Sequence, residues 1–381
     1  MRVAMVETGG WGGIAHYAWN LCQALSTAGV ETCLMTNVQY ELGHLSRSFQ
    51  VEPCLDGRVG YLGTARGFLK RLSSLAPDVV HVQSLISTRF DALLWPSVRR
   101  RMPLVMTAHN VRSHEGHAWE MWTLWHSLKA ADAAIVHTRE SAQVIAARLG
   151  PSARFRMIPH GDYAFFGGTR MGDRQQIRRR LGLPAQARIL LAFGAIRPYK
   201  GLLELIAVLP HVRARHPDAH LVIVGPLLVG TEAEYQTAIA RSGVADAVTF
   251  HPRYVPHDEV AAYFAAADAA VFNYRDVTDS GSLRIACSLG TPVVATTVGG
   301  FREFLTDGVT GRLVPADDPE RLVEAISAVL ADPGGAARLA EAARVLAASV
   351  WSWADGAKAT VEVYQELLDR RSPASRRPPP S

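Results

Sequence analysis

The sequence lacks the side-chain patterns that usually bind a metal ion or build a disulfide framework. H-E-x-x-H, C-x-x-C and D-x-D runs are absent, and the single H-x-x-H run at 114–117 contains a glycine. The 381 residues include four cysteines without metal-like spacing, which are Cys22, Cys33, Cys54 and Cys287. We therefore expect no metal site, a solvated loop at 114–117 and reduced cysteines in a cytoplasmic protein.

Long apolar runs are also absent, and we expect no N-terminal leader. No run approaches the ~20 apolar residues of a membrane-spanning helix, and the opening MRVAMVETGG predicts a strand that enters a glycine loop, not a signal or transit peptide. The hydrophobic fraction of 48% excludes a mainly disordered chain. The length suits two domains of roughly 150–200 residues each.

The formal charge of +5 is unevenly distributed along the chain. Basic side chains are in excess over 1–165, over 166–180 and in the Pro-rich end 372–381, whereas 181–370 is acidic. No nucleic-acid recognition motif accompanies the basic excess, so we expect no nucleic-acid partner. The end 372–381 has the composition of a disordered tail.

Short β-branched runs alternate with helical patterns twice along the chain. They predict strands at 2–6, 31–35, 79–82, 104–107, 134–136 and 155–158, and again at 189–193, 220–224, 248–250, 269–272, 292–296 and 311–314. This alternation predicts an α/β protein with two doubly wound parallel-sheet, Rossmann-like domains. Because such sheets bind ligands at the carboxyl ends of their strands, we expect the two domains to face a central cleft.

A glycine loop follows the first predicted strand. Gly9, Gly10, Gly12 and Gly13 stand within five residues and open a helix, so backbone N–H groups and the helix N-terminus are suited to an anion. The spacing differs from the G-x-G-x-x-G dinucleotide fingerprint. A simple tight turn is the alternative interpretation.

Two cations stand at the end of the first strand of the second half. In the run FGAIRPYKGL, Arg197 and Lys200 flank a proline just before a helix. Fixed cations at this place suit a diphosphate and the charge that develops on a leaving group. A solvated pair of surface charges is the alternative.

Two more turns follow strands of the second half. Ser280, Gly281 and Ser282 begin a helix whose N–H groups suit a phosphate, although N-capping alone would also explain the serines. Gly299 and Gly300 form another strand–glycine–helix turn. Repeated glycine turns on successive strands favour a ligand-binding edge of the sheet.

Several histidines end strands of the first half. His109 follows a strand in the run AHN, where a catalytic or substrate-contacting group would stand. His81 lies inside an apolar strand and is expected to be a hydrogen-bonded core residue. His137 and His160 close two further strands, where either one would lie close to the cleft.

Together these motifs resemble those of the family 4 glycosyltransferases, a retaining family with the two-domain GT-B architecture. The resemblance covers almost the whole chain and is most specific in FGAIRPYKGL and in the segment 280–314. It implies an acceptor-side domain over 1–165, a linker at 166–185, a domain over 186–350 that binds the nucleotide sugar, and a helix over 351–371 that packs back on the first domain.

The resemblance also implies the substrates and the roles of single residues. The donor is a nucleoside-diphosphate-sugar, the acceptor is a glycan, lipid-linked or small-molecule hydroxyl, and no metal or other cofactor is needed. Arg197 and Lys200 stabilise the departing diphosphate, which helps to deprotonate the acceptor in a front-face reaction, and His109 contacts the sugar. The implied donor-binding set is Gly10, Gly12, Gly13, Arg197, Lys200, Asp279, Ser280, Gly281, Ser282, Gly299 and Gly300.

This sequence departs from the family pattern at two places. Val277 and Ile285 stand where the family usually has a Glu-x7-Glu pair, and Ala195 stands where it usually has an arginine. Asp276 or Asp279 is then a candidate for the sugar contact. The missing glutamates keep open a non-catalytic partner or scaffold protein in glycan assembly, and a sugar-nucleotide epimerase is a weaker alternative.

Basic and aromatic side chains in the first half suit the inner, anionic face of a cell membrane. Three of the tryptophans lie at near-helical spacing. The residues concerned are Arg66, Lys70, Arg71, Arg99, Arg100, Arg101, Trp119, Trp122 and Trp125. The alternative is that the tryptophans are core residues and the arginines form a solvated face.

Overall fold

The structure is a computed structural model, which describes residues 1–85, 91–111, 118–150, 154–168 and 173–371. These residues form two compact units. The first unit comprises Met1–Gly161 together with the chain from Ser352 onward, and the second comprises Asp162–Trp351. The expected tail at 372–381 and the expected loop at 114–117 lie outside the described residues.

Each unit contains one parallel β-sheet. The first sheet consists of β1 (Arg2–Val6), β2 (Glu31–Asn37), β3 (Gln50–Leu55), β4 (Val79–Val82), β5 (Leu104–Thr107), β6 (Ala133–Val136) and β7 (Phe155–Met157), in the order β3-β2-β1-β4-β5-β6-β7. The second consists of β8 (Arg188–Phe193), β9 (Ala219–Val224), β10 (Val248–His251), β11 (Ala269–Phe272), β12 (Val293–Thr296) and β13 (Arg312–Val314), in the order β10-β9-β8-β11-β12-β13. The predicted α/β class with two doubly wound sheets is confirmed.

Helices connect the strands and cover the sheets. They are α1 (Gly12–Thr27), α2 (Gly60–Leu75), α3 (Asp91–Arg99), α4 (Ala118–Ala130), α5 (Arg139–Leu149), α6 (Arg174–Arg180), α7 (Leu202–Arg215), α8 (Glu232–Arg241), α9 (His257–Ala266), α10 (Gly281–Ser288), α11 (Phe301–Phe304), α12 (Pro319–Ala331), α13 (Pro333–Val350) and α14 (Trp353–Arg371). Among the described residues, none of these helices has the length and apolarity needed to cross a bilayer.

The first sheet is covered on both faces, as the near-continuous apolar strands require. Successive side chains of a strand point to opposite faces. Ala4 and Val6 of β1 therefore pack in one buried cluster with Phe68 of α2, while Val3 and Met5 pack in a second cluster with α1 and α14. Both layers are mostly apolar, although the strands also bury polar residues such as His81 of β4.

The segment 166–185, expected to be a linker, belongs to the second unit. Ile177 of α6 is buried in the core of that unit. Arg178 donates two hydrogen bonds to the carbonyl oxygen of Ala266 and pairs with Asp268 at 2.7 Å. These contacts fix the segment, and the division between the units falls at Gly161 and Asp162.

Helix α14 packs on the first unit. Its Val363, Tyr364 and Leu367 lie in the same buried cluster as residues of α1. At its start the Trp353 ring lies against the backbone of Gly161, where an added Cβ would stand 2.1 Å from a ring carbon. Only glycine fits at this contact, because real Cβ atoms do not approach other atoms so closely.

The sequence patterns missed one strand, β3. This strand lies at the edge of the first sheet, contains Pro53 and buries only Leu55 of its six residues. An edge strand needs fewer apolar residues and tolerates proline, so its pattern is weak. The other twelve strands stand where the apolar runs predict them, within one or two residues.

Candidate active site

The glycine loop after β1 is organised by a buried carboxylate, Glu7. Gly9 N–H donates to its Oε1 at 2.8 Å, Gly10 N–H donates to its Oε2 at 2.9 Å, and the Thr36 hydroxyl donates to Oε2 at 3.1 Å. Burial raises the pKa of Glu7, and the three hydrogen bonds oppose that rise. The first two N–H groups of the loop are thus used inside the protein.

The four glycines of this loop differ in their surroundings. Gly10 has φ +75°, and an added Cβ would stand 2.7 Å from the Cβ of Asn37, so this glycine is needed by the loop itself. Gly12 and Gly13 have no atom within 4 Å of an added Cβ and lie where α1 begins. The structure gives Gly10 a packing role, and only Gly12 and Gly13 face open space.

His109 follows β5 and is the partly buried histidine of a polar cluster in the first unit. Its Nε2 lies 3.0 Å from Oε1 of Gln83, the residue that follows β4. Its ring makes an edge contact with Tyr17 at 4.7 Å and lies 5.1 Å from the ring of His137. Burial and the neighbouring imidazoles lower the pKa of His109 well below 6.5, so the ring is neutral at physiological pH.

Three other histidines of the first unit, His81, His137 and His160, are buried close to His109. His81 is fully buried, with Nδ1 at 2.6 Å from the Tyr364 hydroxyl and Nε2 at 2.7 Å from Thr107 Oγ1, which confirms the predicted core role. His137 Nδ1 donates to the carbonyl oxygen of Ile158 at 2.9 Å. His160 contacts Tyr17 with 4.7 Å between ring centroids. His137 directly follows β6, and His160 lies three residues after β7.

Lys200 is a buried cation at the end of the second unit's first loop. Only 6% of the residue is exposed, and its side chain makes no ion pair or hydrogen bond with any described residue. Its Nζ lies 5.2 Å from the ring centre of Tyr274, a cation–π contact. Burial is the main reason that the pKa of Lys200 falls from 10.5 to about 8; Tyr199 opposes this fall and the nearby Arg197 adds to it.

Lys200 stands next to the start of α10. A Cβ added to Gly194 would lie 3.0 Å from Lys200 Nζ and 2.6 Å from Ser282 Oγ, so these two polar atoms flank one glycine. The backbone of Gly194 has φ +102°, which suits glycine alone. Arg197 is partly exposed and directly precedes the short turn Pro198–Lys200. The predicted residues Arg197, Lys200 and Ser282 are therefore brought to one edge of the second sheet.

Hydrogen bonds join the loops that follow β8, β11 and β12. Arg275 N–H donates to the carbonyl oxygen of Tyr199 at 2.7 Å, and the Asn273 amide donates to that of Gly201 at 3.0 Å. The Thr296 hydroxyl donates to the carbonyl oxygen of Tyr274 at 2.6 Å. The three loops are held as one surface, which fixes Lys200 relative to α10.

Asp279 and Ser280 are engaged in the structure of the loop before α10. Asp279 pairs with Arg284 at 2.9 Å, and this fully buried arginine lies over the ring of Phe304 at 4.1 Å. The Ser280 hydroxyl accepts from Leu283 N–H at 3.3 Å and caps the helix. We therefore assign Asp279 and Ser280 to shaping the loop, and we leave Gly281 and Ser282 as the residues suited to a ligand.

The structure also shows the surroundings of Gly299 and Gly300 and of the two residues that replace the family's glutamates. Gly300 N–H donates to the carbonyl oxygen of Val277 at 3.2 Å and is buried, while Gly299 is partly exposed with φ +42°. Val277 and Ile285, which replace the family's glutamates, are both buried in the apolar core of the second unit. Their side chains contribute packing there and no hydrogen-bonding group.

Four residues of this region escaped the sequence analysis: Glu7, Gln83, Tyr274 and Arg284. Glu7, Gln83 and Tyr274 are buried just after strands, and Arg284 is buried in α10. The only visible signal was the carboxylate of Glu7, two residues before the first glycine of its loop. Among the described residues, no group of three or more histidine, cysteine or acidic side chains is placed to hold a metal ion. The pattern of the site is thus one of backbone N–H groups, hydroxyls and cations.

Both units of the chain are similar in sequence to known glycosyltransferases. Residues 11–161 match the family described as Glycosyltransferase Family 4, and residues 173–346 match Glycosyl transferases group 1. D-inositol 3-phosphate glycosyltransferase of Xylanimonas cellulosilytica is 32% identical over 249 residues, which are 64% of this chain and 58% of that protein. D-inositol 3-phosphate glycosyltransferase 1 of Catenulispora acidiphila is 31% identical over 313 residues, which are 77% of this chain and 73% of that protein.

A solved structure shares the fold over nearly the whole chain. HepE of Anabaena, determined in complex with UDP-glucose, superposes with a TM-score of 0.77 and 19% sequence identity. The superposition covers 96% of this chain and 100% of that one.

Proposed function

This chain belongs to the family 4 glycosyltransferases of the GT-B fold, and we propose that it transfers a sugar from a nucleoside-diphosphate-sugar to a hydroxyl group with retention of configuration. The observation that carries the proposal is the buried, unpaired ammonium of Lys200 beside Gly194 and Ser282. A buried charge without a partner is costly and is kept where a ligand supplies the opposite charge. The matched ligand is the donor diphosphate.

The second unit supplies the groups that would bind this diphosphate. Lys200 and Arg197 provide positive charge, and the N–H groups of Gly281 and Ser282 stand at the N-terminus of α10, where the helix dipole favours an anion. HepE, which shares the fold, binds UDP-glucose. The same two cations would stabilise the negative charge that grows on the diphosphate as the glycosidic bond breaks.

We assign the transferred sugar to residues of the first unit. Neutral His109 offers a ring nitrogen to a sugar hydroxyl, and Gly12 and Gly13 leave room for the sugar or its phosphate beside the start of α1. In the proposed step the bond from the anomeric carbon to the diphosphate oxygen breaks, and the acceptor oxygen bonds to the same face of that carbon. The acceptor proton passes to the departing diphosphate, so no protein nucleophile and no bound metal is required.

The acceptor class is proposed from the curated relatives. Both relatives compared above act, by their names, on D-inositol 3-phosphate. We therefore propose a small phosphorylated polyol as the first acceptor to test, ahead of glycan and lipid-linked acceptors. Inositol without phosphate is the matched control, and equal transfer to both would argue against a phosphate-specific acceptor site.

A panel of UDP-, GDP- and dTDP-sugars tests the proposed function directly. We expect one donor to raise the melting temperature and to be consumed, with release of the nucleoside diphosphate and an unchanged anomeric configuration in the product. Lys200→Ala should nearly abolish turnover while the protein stays folded. Donor binding without any turnover would favour the scaffold alternative, and normal turnover of Lys200→Ala would refute the site.

We further propose that the first unit contacts an anionic membrane surface. Leu62 of α2, Leu93 of α3 and Trp122 of α4 are 76%, 80% and 54% exposed. Helix α3 packs against both α2 and α4, so these apolar side chains lie on three neighbouring helices. Trp125 is buried, as the core alternative expected, and the side chain of Trp119 lies outside the described residues.

Co-sedimentation with lipid vesicles tests the membrane contact. We expect binding to vesicles rich in phosphatidylglycerol and weak binding to phosphatidylcholine alone. The double substitution Leu62→Ser with Leu93→Ser should weaken binding, and Leu228→Ser, an exposed residue of the second unit, serves as the control. Equal sedimentation with both kinds of vesicle would refute this contact.

A further inference from the structure

A chain of buried hydrogen bonds links helix α14 to His109. Tyr364 of α14 contacts His81, His81 contacts Gln83, and Gln83 contacts His109. The donor and acceptor atoms along this chain lie 2.6, 3.1 and 3.0 Å apart. The polar side chains of Tyr364, His81 and Gln83 are at most 3% exposed, so water does not compete for these bonds.

The orientation of the Gln83 amide is set by Met5. The amide nitrogen of Gln83 lies 3.0 Å from Met5 Sδ and 3.1 Å from His81 Nε2. A thioether sulfur accepts a hydrogen bond weakly and has no proton to give, so it favours the N–H side of the amide over the carbonyl oxygen. The carbonyl oxygen of Gln83 is thereby turned toward His109 Nε2.

This orientation fixes which nitrogen of each histidine carries a proton. His81 Nε2 accepts from Gln83 and from the Thr107 hydroxyl, so the proton of neutral His81 is on Nδ1 and is donated to the Tyr364 oxygen. Because the Gln83 oxygen can only accept, His109 Nε2 must carry the proton at the other end.

We propose that Gln83 is a positioning residue, which holds neutral His109 with its proton on Nε2 and leaves Nδ1 as a hydrogen-bond acceptor for a hydroxyl of the transferred sugar. Nδ1 of His109 makes no hydrogen bond with any described residue, so this nitrogen is available for the substrate. The inference rests on the proposed role of His109 in sugar transfer. Tyr364 and His81 extend the same control to helix α14.

The opposite proton arrangement would disable this contact. With the proton on Nδ1, His109 would present a donor to the sugar, and its Nε2 would face the Gln83 oxygen with two lone pairs opposed. A ring that samples both arrangements would be correctly placed for only part of the time. We expect the loss of Gln83 to lower kcat about tenfold to a hundredfold, because orientation of the reacting groups supplies much of the rate.

Nitrogen-15 NMR of the histidine rings tests the proposal in the full-length protein. We expect the proton of His109 on Nε2 in the wild type and a shift toward Nδ1 in Gln83→Leu. His137 is an internal control, because its Nδ1 donates to the carbonyl oxygen of Ile158 and should stay protonated in both proteins. A proton on Nδ1 of His109 in the wild type, or an unchanged ring in Gln83→Leu, would overturn the proposal.

Tyr364→Phe provides a second and gentler variant if Gln83→Leu does not fold. Without the Tyr364 oxygen, the His81 proton should move to Nε2 and donate to Thr107, which turns the Gln83 amide and changes the ring of His109. Tyr235→Phe, a buried tyrosine of the second unit, is the matched control and should leave His109 unchanged. No change of His109 in Tyr364→Phe would refute the link to α14.

The NMR result and the activity result separate two kinds of failure. If the His109 ring responds to Gln83→Leu but the wild type turns over no donor, the positioning chain stands and the proposed function fails. If the wild type turns over donor and Gln83→Leu keeps its kcat and its His109 proton, the proposed function stands and the positioning chain fails.

Discussion

Replacing Lys200 by methionine should make the protein more stable and a poorer enzyme. Methionine keeps the length and most of the packing of the lysine stem while it removes the charge. In the folded protein the lysine is charged, 6% exposed and without a carboxylate partner. A change of its pKa from 10.5 to about 8 corresponds to about 3 kcal/mol, at 1.36 kcal/mol per pKa unit.

The sign of this effect depends on pH. Because the pKa of Lys200 is lower in the folded protein, the unfolded chain binds more protons between pH 8 and 10.5. The full cost of the buried charge is therefore present below pH 8 and disappears as the pH rises to 10.5. The gain from Lys200→Met should be largest near pH 7 and should vanish in alkaline buffer.

The same substitution should weaken the binding of a nucleoside diphosphate. A hydrogen bond to a charged group contributes about 1.5–3 kcal/mol, so we expect affinity for the preferred diphosphate to fall roughly 10- to 100-fold. Binding of the free nucleoside, which has no phosphate, should not change. Chemical denaturation at two pH values and isothermal titration calorimetry measure both effects.

Lys358→Met is the matched control, because Lys358 is an exposed residue of α14 and should change neither stability nor binding. If Lys200→Met is less stable than the wild type, the lysine has a structural partner and the reasoning is wrong. Unchanged affinity for the diphosphate would refute the assignment of Lys200 to the donor.

Four further substitutions test the packing around the site and the open space at the glycine loop. Gly161→Ala should lower the melting temperature and change the fluorescence of Trp353, because the new methyl group overlaps that ring; an unchanged melting curve would contradict the contact. Gly10→Ala should destabilise the protein by about 1–3 kcal/mol, whereas Gly13→Ala should keep its stability and bind donor more weakly, as thermal unfolding and donor titration would show. Arg284→Met should cost about 3 kcal/mol in chemical denaturation, because the Asp279 carboxylate loses its buried partner; equal stability would mean that the pair contributes nothing.

The strands were predictable because parallel strands covered on both faces are short, continuous apolar runs. Val79–Val82 and Leu104–Thr107 are buried at every position, and both are visible in the sequence. The order of the strands in each sheet was not visible, since it depends on which long-range pairings form. The edge strand β3 escaped because it is held by one neighbour and needs little apolar surface.

The positions of the predicted residues in the fold were predictable, but the details of their surroundings were only partly so. The glycines and cations expected after strands do follow strands in the structure, and Lys200 lies in the loop after β8. Which N–H groups are already used was not visible, because this depends on partners such as Glu7 and Val277 that the fold brings together. Gln83 belongs to no sequence motif. Its role depends on contacts with Met5, His81 and His109, which are far from one another in the sequence.

The return of helix α14 to the first unit has a consequence for the order of events during synthesis. The second unit is one continuous stretch, whereas the first unit is interrupted and needs Tyr364 to complete the hydrogen bonds of buried His81. Before residue 364 has been synthesised, the first unit therefore has an uncovered apolar face, and Nδ1 of His81 lacks the hydrogen-bond acceptor that Tyr364 provides. Products terminated between residues 351 and 364 would keep a complete second unit and lack the closing helix of the first, so proteolytic clearance should begin in the part of the protein that was made first.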